Sequence, residues 1–133
     1  MKGTMMQQTD NTAASHLQAE DLSLILSRLE EVPELIASGR VKQARDELGL
    51  AKGLARAAEL AAERARESAQ SAGDKAHHEA LGGQANAVAR LVRNALLKID
   101  QGRAAAAKSD VEGAIEVAEE MVEAAERFAQ VAP

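Results

Sequence analysis

Three imidazoles, His16, His77 and His78, are the only side chains in this sequence whose ordinary pKa suits proton or phosphoryl transfer near neutrality. His77 and His78 follow Asp74 by three and four positions, a spacing that sets a carboxylate and an imidazole on one helix face and could ligate a metal. Carboxylate-bridged di-metal bundles, however, draw on two Glu-x-x-His motifs and two further inward glutamates, and no second histidine pair is present. The chain lacks a Gly-x-Ser-x-Gly elbow, a phosphate loop, a dinucleotide fingerprint and a zinc motif. With no cysteine there is no thiol chemistry and no disulfide. The carboxylates fall mostly on expected outer faces, whereas acid–base work needs buried ones with raised pKa. The expectation is therefore a non-enzymatic protein with no metal and no cofactor.

The elements that position these residues are helices. Of 133 residues, 30 are Ala and 14 are Leu, with one Phe and no Trp or Tyr. Alanine favours helix over strand. A formal net charge of −5 with a single aromatic ring leaves neither the basic stripe nor the stacking platforms of most nucleic-acid binders. No apolar run approaches a membrane span, and the first twenty residues show no secretory signal. A soluble cytoplasmic protein without nucleic-acid or membrane partners is expected.

Residues 1–14 are polar and aperiodic and read as a disordered tail, leaving 15–133 as a single helical domain. Ser15-His16-Leu17-Gln18 fits a capping box. Leu22, Ile25, Leu29, Val32 and Ile36 then advance by threes and fours, with Pro33 inside the stripe expected to kink or restart the helix and Gly39 to stop it. A second helix runs from about Arg40 to about Gln70, its apolar arc covering roughly 200° of the wheel. One strip is Val41, Ala44, Leu48, Ala51, Ala55, Ala58, Ala62 and Ala65; a second contains Leu50, Leu54, Ala57 and Ala61. Gly49 and Gly53, four apart, would let another helix backbone approach. Ser71-Ala72-Gly73-Asp74 reads as a turn with Asp74 as the new N-cap. Gly82-Gly83 could separate 74–81 from the helix that follows. Gly102 closes that helix, and a fourth runs from about Arg103 to Gln130 with Met121 and Phe128 inward. Four amphipathic helices with short connections predict an all-α antiparallel four-helix bundle.

Ser38-Gly39-Arg40 and Gln101-Gly102-Arg103 lie 63 positions apart, and at that offset Ala44 meets Ala107, Leu48 meets Val111 and Ala55 meets Ala118. A duplicated helical hairpin would account for the match, although alanine-rich helices also align by composition alone. Charge is unevenly spread: residues 1–38 carry −4, 39–70 carry +2, 71–102 carry +1 and 103–133 carry −4. Glu112, Glu116, Glu119, Glu123 and Glu126 form an acidic ridge opposite the apolar stripe of the fourth helix, either a solvated face or a dock for a basic partner. Arg45, Lys52 and Arg56 share a face that Glu59 and Glu63 interrupt, too neutralised to hold nucleic acid.

The segment His78-Glu79-Ala80-Leu81-Gly82-Gly83-Gln84-Ala85-Asn86 resembles the active helix of histidine-containing phosphotransfer domains, which are four-helix bundles of about this size. That resemblance implies His78 as phospho-acceptor and Gly82 as the residue that clears space for a response regulator. It departs from the family at Leu81, where a lysine is expected, and in placing His78 only four residues after its expected N-cap.

From the residues themselves, the expected function is binding. Each alanine buries little area at roughly 25 cal/mol per Å², so such a core leaves a monomer modestly stable. The wide arc of the second helix then predicts a homodimer or protein-partner interface at Leu50, Leu54, Ala57, Leu60 and Ala61. The alternative is a phosphotransfer module using His78 and Gly82.

Overall fold

A computed structural model describes residues 2–131, with side chains described from residue 20. The expected tail at 1–14, the capping box at Ser15 and the residue His16 all fall outside the described side chains. The chain forms α1 (Lys2–Ala37), α2 (Val41–Ser68), α3 (Ala72–Asp100), a 3₁₀ turn (Ala104–Ala107) and α4 (Lys108–Val131), with no strand among the described residues. Each helix packs on the next, and α4 returns to α1, so the four close into an antiparallel bundle with α1 and α3 on one diagonal.

The expected stripes become the core. Leu22, Ile25, Leu29 and Val32 of α1 are fully buried, as are Leu81, Val88 and Val92 of α3 and Val111 and Met121 of α4. On α2 the buried face is Leu48 with five alanines, Ala44, Ala51, Ala55, Ala58 and Ala62. With so little side chain between them, α2 and α3 approach closely. A Cβ built on Gly82 would stand 3.6 Å from the Cβ of Ala62.

Two helix ends are built alike. At the end of α1 the Gly39 amide donates to the Ile36 carbonyl (3.1 Å) and the Arg40 amide to the Leu35 carbonyl (2.8 Å). At the end of α3 the Gly102 amide donates to Ile99 (3.0 Å) and the Arg103 amide to Lys98 (2.8 Å). Both are Schellman caps, and they need a left-handed residue; Gly39 has φ +80° and Gly102 φ +75°. The 63-residue offset extends into the core. Ile25, Leu29 and Val32 map onto Val88, Val92 and Ala95, while Leu48, Ala51 and Ala55 map onto Val111, Ala114 and Ala118, and all twelve are buried. The two hairpins thus share a core pattern and a type of helix cap. Exchanging α1 with α3 and α2 with α4 is a two-fold operation along the bundle axis.

Several local expectations need correction. Ser71, not Asp74, caps α3: its Oγ accepts from the Asp74 amide at 3.0 Å. Both residue types cap well, but the upstream one adds a helical turn and leaves Asp74 favourably placed near the positive end of the helix dipole. Gly82-Gly83 does not divide α3, because Leu81 and Ala85 pin the helix on either side. Pro33 neither ends nor restarts α1, which continues to Ala37; the ring costs one backbone bond near a helix end while Leu29 and Val32 stay buried. The start of α4 is preceded by the tighter 3₁₀ turn. Gly49 and Gly53 have no heavy atom within 4 Å of a built Cβ and lie on the surface, so no helix backbone uses that gap.

Candidate functional site

His77 and His78 lie in the second turn of α3, where the antiparallel arrangement brings them against the last turns of α4. There they meet the single phenylalanine of the chain. His77 stacks on Phe128 with centroids 4.0 Å apart and planes within 6°. His78 meets Phe128 edge-on at 5.3 Å and His77 edge-on at 5.1 Å. The sequence pattern suggested an exposed helix start. His78 is instead 8% exposed, and its buried Nδ1 has no hydrogen-bond partner. Burial pushes both imidazoles below their ordinary pKa; for His77 the neighbouring charge of His78 adds to this, and Asp74 opposes it in both. Neutral imidazoles serve here as aromatic packing that closes one end of the α3–α4 pair. Phe128, expected to face inward, is half-buried and completes this cluster.

Gly82, one turn further along α3, faces α2. Its missing side chain leaves room within the bundle, toward Ala62. Among the described residues no group of three or more His, Cys, Asp or Glu could hold a metal ion. No helix among them is long and apolar enough to cross a membrane.

The two apolar strips of α2 part company in the structure. The first is core. In the second, Leu50 is 52% exposed, Ala57 and Ala61 are exposed, and Leu54 is half-buried against the core; Leu60, the fifth residue of the expected interface, is 54% exposed. Leu50 borders an open groove with Arg45, Asp46, Gly49, Leu96 and Asp100, and Leu97 of α3 is 50% exposed. Leu97 escaped the sequence reading because it falls outside the stripe that Val92, Ala95 and Ile99 form on its helix.

Charge divides by side. Glu112, Glu116, Glu119, Glu123 and Glu126 are all exposed along α4. The neighbour of α4 is α1, where Glu30, Glu31 and Glu34 are exposed as well. On the opposite side Arg45 pairs with Asp100 across α2 and α3 (3.1 Å), and Arg56 pairs with Glu59 (2.9 Å). Asn86 donates to Glu59 at 2.9 Å. Lys42, Arg90 and Arg93 are exposed without an ion pair among the described residues. The segment charges of −4, +2, +1 and −4 hinted at this division, but only the ring order of the helices joins the first segment to the last.

Comparison with protein-family models, with curated proteins and with solved structures finds no match.

Proposed function

We propose that this protein is a non-enzymatic interaction module that associates with itself through the outer face of α2. The observation carrying the proposal is that Leu50 and Leu60 stand half-exposed on a helix whose inner face is nearly all alanine. At the equivalent places of the second hairpin stand Gly113 and Glu123, so the bundle architecture does not require leucine there. Leu97 adds a third large apolar side chain on the adjoining helix. Single exposed leucines are ordinary, whereas a group on one face marks a binding surface. Covering them adds stability to a core built largely from small side chains, by mass action.

The test is solution mass by light scattering, with helicity by circular dichroism as the control. Leu50→Glu and Leu60→Glu should each lower the assembly mass toward the 14.0 kDa chain and leave helicity unchanged. Leu54→Glu is a poorer probe, because Leu54 also packs on the core. A wild-type protein that stays at 14.0 kDa throughout the micromolar range would refute self-association.

A further inference from the structure

We infer that self-association is head to tail: the α2–α3 face of one copy docks on the α1–α4 face of the next. This rests on the self-association reading above and names the partner surface. The internal two-fold relates these two faces, so they have the same helical framework and lie on opposite sides of the bundle. Their net charge differs in sign. Where α4 carries Glu116, Glu119 and Glu123, the equivalent positions of α2 carry Gly53, Arg56 and Leu60; where α1 carries Glu30 and Glu34, α3 carries Arg93 and Leu97. A repeated core, with outer faces whose segments carry net charge of opposite sign, fits two halves of one contact.

A sideways translation by one bundle width sets α2 against α1 of the next copy and α3 against its α4. These are the same antiparallel neighbours that pair inside the bundle. Levels along the axis can be read from internal contacts. Lys98 reaches Asp110 at 2.6 Å and His77 stacks on Phe128, so Arg90 and Arg93 are level with the stretch from Glu112 to Glu119. Arg28 pairs with Glu47 at 3.2 Å, which sets Lys42 and Arg45 level with Glu30 and Glu34. Cations therefore meet carboxylates.

A helix of 28 residues is about 42 Å long at 1.5 Å per residue, and a stable contact would have to bury about 800 Å² of such a two-helix face on each partner. The two faces lie on opposite sides, so the contact does not close on itself and repeats from copy to copy.

The experiment is light scattering on the wild type and two face variants, Arg90→Glu with Arg93→Glu and Glu116→Lys with Glu119→Lys. All four positions are exposed, and circular dichroism checks that each variant is folded. The wild-type mass should rise with concentration beyond a dimer. It should fall as salt is raised from about 0.01 M to about 1 M, where the screening length shrinks from about 30 Å to about 3 Å. Each variant alone should be a monomer, because its two faces then carry like charge. Mixed, the two should co-assemble beyond a dimer again, since the reversed charges of one variant complement those of the other as the native faces do. If the wild type assembles but Glu116→Lys with Glu119→Lys leaves its mass unchanged, the head-to-tail contact is wrong while self-association through α2 stands. If the wild type is monomeric even in low salt, both are wrong.

Discussion

Gly82→Ala is the substitution that most directly separates a structural role for this glycine from a partner-clearing one. The residue sits inside α3, where glycine costs about 1 kcal/mol relative to alanine through lost backbone entropy. A Cβ there would meet the Ala62 Cβ at 3.6 Å, an ordinary van der Waals distance, so α2 need not move. The variant should therefore be more stable by about 1 kcal/mol, with part of a further ~0.8 kcal/mol from a partly buried methyl group. For a domain of this size that raises the melting temperature by about 3–5 °C. Thermal unfolding followed by circular dichroism, with urea unfolding as an independent measure, reads the effect. Gly83→Ala, with nothing within 4 Å, isolates the backbone contribution. A Gly82→Ala protein less stable than wild type would refute the reasoning: it would mean that α2 and α3 approach more closely than these distances allow.

Three further outcomes follow from the geometry. Gly39→Ala and Gly102→Ala should each destabilise by about 1–2 kcal/mol, since both positions have positive φ and an L side chain is strained there; unequal losses in urea unfolding would show that the two caps are not equivalent. Acidification from about pH 7.5 to about pH 5.5 should lower stability. The unfolded imidazoles titrate near 6.5 while burial lowers the folded values of His77 and His78, so the unfolded chain binds more protons in that window. The loss should level off below the folded values, and His78→Leu should reduce the slope; an unchanged slope would show that His78 does not contribute. Incubation with a phosphorylated response regulator should leave His78 unlabelled, because an imidazole only 8% exposed and wedged edge-on against His77 and Phe128 leaves little room for a partner's active site; a label lost in His78→Gln would reverse that expectation and revive the phosphotransfer reading.

The sequence by itself determined the helices and most of their inner faces. Alanine content and spacings of three and four leave few alternatives for a chain without turns in those stretches, and Leu22, Ile25, Leu29, Val111 and Met121 are buried as their period requires. Gly39 and Gly102 were legible too, because a helix end of this kind needs a residue that tolerates positive φ. The exposed strip of α2 and the ridge of α4 follow from the same wheel. What the wheel cannot hold is which helix lies beside which. That Phe128 meets His77 and His78, across fifty residues of sequence, depends on α3 and α4 running antiparallel at a fixed level. That Gly82 faces Ala62, away from any outside partner, depends on α2 being the neighbour on that side. Local choices between equally good signals, Ser71 against Asp74 or a break against continuity at Gly82-Gly83, were likewise settled by burial of the residues flanking them. The separation of charge onto opposite sides of the bundle is also tertiary. Acidic residues far apart in the chain, Glu30 and Glu34 near one end and Glu112 to Glu126 near the other, become one surface only because α4 closes the ring onto α1.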